Sequence, residues 1–154
     1  MDIPSYISGY VDGEGCFSVS IRPRPQNNLK WEVVASFAVA QNRDKVEVLK
    51  IMKDYFGYGS FRSNKTDNTI KYEIRSIEVL MKKVIPHFRR YPLQSGRQKD
   101  FVIFAEICGR INKRRHLTKE GLIEIVKLRS QLSFVSKRVY TNEMIIQQLS
   151  KKKI

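Results

Sequence analysis

The chain has 154 residues, which suits one domain spanning 1–154, and its 29 Lys and Arg against 15 Asp and Glu give a formal net charge of +14. With 42% hydrophobic and 10% aromatic residues it can build a core, which excludes wholesale disorder, and no apolar run approaches the roughly 20 residues a bilayer requires. The cationic excess points to a polyanionic partner rather than to an acidic protein partner or a purely apolar ligand. Cys16 and Cys108 are the only cysteines and His87 and His116 the only histidines, none in a pair with zinc-ligand spacing. Two free, buried thiols are expected, in a reducing compartment. Met1-Asp2-Ile3-Pro4 shows no basic region leading into an apolar stretch, so an intracellular location is expected, in cytoplasm, nucleoid or organelle, without a secretion signal.

In chain order, Pro4 suits a first helical turn and Gly13 and Gly15 its end, which predicts a short helix stopping near Asp12–Glu14. Strict alternation follows: Phe17, Val19 and Ile21 point one way, and Ser18, Ser20, Arg22 and Arg24 the other. Pro23, Pro25 and Gln26-Asn27-Asn28 break this strand. A second runs from about Lys30 to Gln41, with Trp31, Val33, Ala35, Phe37 and Val39 on one face. Asp44 reads as the N-cap of an amphipathic helix ending at Gly57. Ser60 to Arg75 then forms two strands across a Thr66-Asp67-Asn68 turn. Helices are predicted over Ile77–Phe88, around Phe101–Ile111 from near Asp100, after a Thr118 cap, and over Thr141–Leu149. The fold class is therefore α+β, in the order αββαββα with extra C-terminal helices.

A half-buried antiparallel sheet presents one mixed polar face to solvent. Here that face carries Ser18, Ser20, Arg22, Arg24, Glu32, Arg62, Asn64, Lys71, Glu73 and Arg75. Gln26 and Lys30 near the hairpin tip, with Ser36, Ala38, Ser60 and Thr69, complete the set of expected DNA contacts. Such side chains read base edges and grip phosphates, Arg suiting guanine, Asn or Gln adenine, and Glu cytosine. The plainer alternative is an ordinary solvated face. Arg110-Ile111-Asn112-Lys113-Arg114-Arg115-His116 holds four cations and no acid, and is expected to be a loop in which Lys113, Arg114 and Arg115 grip phosphates. The Lys151-Lys152-Lys153 tail would add general attraction to DNA.

The sharpest local feature is Ile7-Ser8-Gly9-Tyr10-Val11-Asp12-Gly13-Glu14-Gly15, two carboxylates flanking a glycine where a helix ends. Helix C-termini disfavour acids unless a cation compensates. A divalent metal held by a Glu oxygen and a nearby carbonyl, with waters and phosphate oxygens completing the shell, would do so; a plain helix stop is the alternative.

This stretch resembles the signature of the LAGLIDADG homing endonucleases, apolar-Ala-Gly-apolar-apolar-Asp-Gly/Ala-Asp/Glu-Gly, with Ser8 where Ala is usual. The αββαββα order resembles the family core, an antiparallel sheet forming a DNA-binding saddle. The resemblance implies metal-assisted cleavage of double-stranded DNA, leaving short 3′ overhangs in a long pseudo-palindromic site. It assigns Glu14 and the Gly13 carbonyl to Mg²⁺, with Mn²⁺ as substitute and Ca²⁺ binding without cleavage, and no small-molecule cofactor. It implies Gln41 as a water-orienting residue, Lys45 as a basic catalytic residue with Arg43 close by, and Arg97 or Lys99 in place of a lysine that direct alignment does not supply. No second motif is present: Phe56-Gly57-Tyr58-Gly59 and Ile107-Cys108-Gly109 lack the acids. A homodimer follows, with Ser8, Gly9, Asp12 and Gly13 at its interface. Two rivals share the scaffold, an RNA maturase assisting intron splicing and a DNA-binding regulator without cleavage.

Overall fold

The computed structural model describes residues 2–133 and 140–151. Helix α1 (Ile3–Glu14) is capped by Asp2, whose carboxylate accepts from the Ser5 backbone N–H and hydroxyl, and Pro4 occupies the first turn, where no N–H partner is needed. Gly15 closes the helix by donating its N–H to the Val11 carbonyl. A Cβ on Gly15 would lie 2.5 Å from the Val11 side chain and 2.9 Å from its carbonyl oxygen, so the abrupt passage from helix to strand requires glycine.

Strands β1 (Gly15–Pro23), β2 (Trp31–Asn42), β3 (Ser60–Asn64) and β4 (Thr69–Ile74) form one antiparallel sheet in the order β1-β2-β4-β3. Helix α2 (Glu47–Phe56) connects the two hairpins and ends at Gly57, whose φ of 66° is the left-handed conformation of a helix stop. Beyond β4 come α3 (residues 77–90), α4 (Arg97–Asn112), α5 (Lys119–Arg129) and α6 (Asn142–Ser150). Thr118 and Thr141 cap the last two, accepting from the backbone N–H of Gly121 and Met144. The α+β class and the αββαββα order are as expected. None of the described helices is long and apolar enough to cross a membrane.

Four details differ from the sequence-based expectation. Asp44 caps nothing: Arg43–Lys45 is a 3-10 turn and α2 starts at Glu47 without a side-chain cap. The Arg43 N–H is still bonded to the Asn68 carbonyl at 3.2 Å, so pairing with the β3–β4 turn holds the chain back from the helix. Helix α3 runs on to Arg90 and contains a π turn, Leu80–Val84, just before Pro86. Proline lacks an N–H and crowds the carbonyl four residues back, and a wider turn relieves both. Helix α4 starts at Arg97 and still includes Arg110, which is thus not a loop residue. Finally, Cys108 is buried, its thiol pushed up to about 12 by burial, whereas Cys16 is only partly buried.

The inner face of the sheet packs on the helices. Phe17 meets Phe37, Phe88, Phe101 and Phe104 at ring separations of 5.2–5.6 Å, joining β1 to β2, α3 and α4. A second cluster, Ile21, Leu122, Val126, Ile145 and Leu149, backs the far end of the first hairpin with α5 and α6. There the Trp31 indole N–H donates to Gln148 Oε1 at 2.7 Å. With one face committed to the core, the other holds every alternate residue outward.

Candidate nucleic-acid interface and catalytic end

At the end of α1 the two motif acids have opposite circumstances. The Asp12 carboxylate accepts the backbone N–H groups of Gln94 (3.0 Å) and Ser95 (3.1 Å) and the Ser95 hydroxyl, tying α1 to the segment leading into α4. Partial burial pushes its pKa up, but the Ser95 and Gln94 hydrogen bonds outweigh this and hold it below the usual carboxylate range. Glu14, two residues on, is exposed and has no side-chain hydrogen bond or ion pair among the described residues.

Arg97 supplies a cation that the helix end requires. Its Nε donates to the Asp12 carbonyl at 3.1 Å and its Nη1 to the Gly15 carbonyl. The guanidinium expected to face the scissile phosphate is thus engaged with backbone, while Lys99 is exposed in the first turn of α4. Gln41 lies on the helix side of the sheet, opposite Ile70. Its amide donates to the Tyr10 hydroxyl and accepts from the Asn42 N–H (2.8 Å), so both ends of the group expected to orient water are engaged within the chain. Lys45 is exposed in the 3-10 turn just beyond β2. Because Gly15 pairs with Val39, Gln41 and the turn carrying Lys45 belong to the same end of the sheet as Glu14.

A metal here would have Glu14 and the Gly13 carbonyl, the latter not among the carbonyls that Arg97 takes. Among the described residues no three His, Cys, Asp or Glu groups converge. The donors present are hard oxygens of the kind Mg²⁺ takes, but they amount to part of a coordination shell.

The strand register places Ser18, Ser20, Arg22, Glu32, Ser36, Ala38, Ser60, Arg62, Asn64, Thr69, Lys71 and Glu73 on the outer face, with Arg75 following in the same alternation. Accessibility divides them. Ser20, Arg22, Ser60, Arg62, Asn64 and Arg75 are exposed, as are Arg24, Gln26 and Lys30 around the hairpin tip. Ser36 and Ala38, expected as DNA contacts, are only 5% exposed, and Glu73 6%. Ser36 and Ala38 are short and sit on β2, flanked by β1 and β4. Glu73 is not a free acceptor: Ser36 Oγ donates to it at 2.6 Å, Lys71 Nζ lies at 3.4 Å and Arg75 Nε at 3.1 Å. Glu32 is similarly paired, with Arg22 at 3.3 Å and Arg24 at 3.1 Å. Val34 and Ala40 also face outward by register, opposite Ser20 and Lys71. Selecting polar residues passed over them, although alternation alone would have found them.

Two further expectations change. Ser8 is 6% exposed and turned into its own chain, donating to the Tyr91 carbonyl at 2.6 Å and lying 3.0 Å from His87 Nε2. It therefore presents nothing to a partner, whereas Gly9 and Gly13 are exposed, with no atom within 4 Å of where a Cβ would stand. His87 also receives the Tyr55 hydroxyl at Nδ1 (2.9 Å), and burial lowers its pKa to about 4. No pattern in the sequence singled out this link. Arg110 bonds Glu106 at 3.1 Å and also Glu124, bridging α4 to α5, which leaves Lys113, Arg114 and Arg115 as the exposed cations of the loop. Lys152 and Lys153 lie outside the described residues.

Comparison with known proteins agrees with this architecture. Probable intron-encoded endonuclease 2 of Neurospora crassa is 33% identical over 132 residues, covering 85% of this chain and 29% of that protein. The crystal structure of the homing endonuclease I-TnaI superposes with a TM-score of 0.84 at 31% identity, covering 95% of each chain. The I-LtrWI LAGLIDADG homing endonuclease bound to target DNA superposes with a TM-score of 0.84 at 30% identity, covering 88% of this chain and 46% of that one. The chain thus spans under a third of the Neurospora relative and about half of I-LtrWI, but nearly all of I-TnaI. Residues 7–108, from the motif helix into α4, match the LAGLIDADG endonuclease model, and the chain belongs to that family.

Proposed function

We propose that this protein is a site-specific, metal-dependent DNA endonuclease that acts as a homodimer and cuts both strands of a long, near-palindromic site, leaving short 3′ overhangs. The observation that carries the reading is Glu14, an exposed carboxylate without a partner among the described residues, at a helix end whose other acid and two of whose carbonyls are already engaged. One chain offers a single free carboxylate there. A two-fold axis along the exposed Gly9–Gly13 face of α1 would bring a second Glu14 beside the first and align two sheets along the major groove.

In this reading Glu14 and the Gly13 carbonyl would hold Mg²⁺, and the ion would supply Lewis-acid chemistry at the scissile phosphate. Lys45 and Lys99 stabilise charge developing on the phosphate, and Arg97 holds the end of α1 where Glu14 must stand. The exposed cations of the sheet, with Lys113–Arg115, bind the DNA backbone and base edges, and outward Val34 and Ala40 suit thymine methyls. The DNA-bound state of the related I-LtrWI and the intron-encoded character of the Neurospora relative support the substrate and an intron setting.

The test is Glu14→Gln. The variant is expected to bind its site as tightly as the parent in Ca²⁺ and to lose cleavage in Mg²⁺ by at least about a thousandfold, the scale of a lost metal-assisted step. Cleavage at the parental rate would remove Glu14 from the mechanism. Site binding by the parent without cleavage in either ion would favour a regulator.

A further inference from the structure

Glu73 sits where a reader of cytosine would be expected, at the middle of the DNA-facing sheet, yet it is built as an interior group. It pairs across the strands with Ala38 on one side and Ser60 on the other, and these small neighbours let the carboxylate lie low on the sheet. Both oxygens are used, Oε2 by the Ser36 hydroxyl and Lys71, Oε1 by Arg75 Nε. The carboxylate is 6% exposed, whereas the Lys71 and Arg75 side chains are 42% and 43% exposed. A cleft of about 420 Å³, lined by Tyr58, Gly59, Ser60, Glu73, Arg75 and Ser76, opens beside it.

Lys71 also stands directly across from Arg62, so three cations share this part of the outer face and two of them pair with Glu73. Without DNA they repel, and long cationic side chains lose rotamer freedom whenever they are fixed. A low-lying carboxylate offsets the repulsion and fixes two of the three. Because Arg75 is held through Nε, both of its terminal nitrogens remain free for the bidentate geometry that guanine accepts. Glu32 makes similar pairs with Arg22 and Arg24 but is 26% exposed, where water screens them.

We infer that Glu73 is a positioning residue for sequence recognition: it contacts no base itself, and it holds Lys71 and Arg75 in the poses that read the base pairs beneath the centre of the sheet. This rests on the DNA-cleaving reading and adds to it which residue sets specificity there.

The experiment is selection from a randomised DNA pool with the parent, Glu73→Gln and Glu32→Gln, each scored position by position, alongside thermal melting and affinity for non-specific DNA. Glu73→Gln is expected to melt as a folded protein and to flatten base preference by about tenfold at one short block of each half-site, within the worth of one oriented guanidinium–base contact. The other positions and non-specific affinity should be unchanged, and Glu32→Gln should leave that block intact. A uniform loss at all positions, or an unaltered profile, would overturn the inference. So would a change of preferred base at a single position, the mark of direct reading by Glu73. If Glu73→Gln does not fold, Ser36→Ala, which removes only the hydroxyl donor, must weaken the same block, and an unaltered Ser36→Ala profile then counts against the inference. Should the parent select no site, the DNA-cleaving reading fails first, and this inference with it.

Discussion

The two sides of α1 are built on opposite rules. On the inner side three polar groups are bonded to something distant in sequence: Ser8 to Tyr91 and beside His87, the Asp12 carboxylate to Gln94 and Ser95, the Asp12 carbonyl to Arg97. The outer side has Gly9 and Gly13 with open space above them and Glu14 with no partner among the described residues. Saturation on one side fixes where the helix ends to within a hydrogen bond. Bareness on the other leaves a surface and a carboxylate for what one chain does not provide. The inner side should therefore govern stability, and the outer side association and chemistry.

Breaking the inner side through His87 should have the largest effect. Since Ser8 donates its hydrogen to Tyr91, it can only accept from His87, so the ring is neutral with its proton on Nε2 and Nδ1 accepting from Tyr55. Its pKa falls from 6.5 to about 4 on folding, so between those values the unfolded chain binds more protons. Stability is then complete above about pH 6.5 and declines as pH falls toward 4, by about 3 kcal/mol in all. Denaturant titrations across that window should show the decline, and His87→Gln should flatten it.

Asp12→Ala comes next, costing about 2 kcal/mol because two backbone N–H groups and a hydroxyl lose an ionised acceptor. On the outer side Gly9→Ala or Gly13→Ala should have the reverse sign, adding up to about 1 kcal/mol of helix stability each while weakening self-association in sedimentation. The smallest effect on folding belongs to Glu14→Gln, within about 0.5 kcal/mol in the same titrations. A Glu14→Gln cost equal to that of Asp12→Ala would erase the contrast between the two sides.

Most of the fold was legible because its signals are local. Period-two alternation from Phe17 to Ile21 and from Ser60 to Ile74 chose the outward face correctly, and Thr118 and Thr141 cap the helices their positions suggested. What escaped depends on residues far apart. Asp44 failed as a cap because Arg43 is bonded to Asn68 across the sheet. Arg97 reads as a free cation until its separation of more than 80 residues from Asp12 and Gly15 is closed by the fold. The burial of Glu73 depends on how small Ser36 and Ala38 are on the neighbouring strand, a property of register rather than of any run of sequence.

The claim that an unpartnered Glu14 at a two-fold axis cuts DNA is met most directly by digesting a complex DNA library with the purified protein in Mg²⁺ and sequencing the ends. The account predicts double-strand breaks with short 3′ overhangs at one long, near-palindromic motif, dependent on the divalent ion. Single-strand nicks, ends sharing no motif, or cutting that persists in chelator would contradict it.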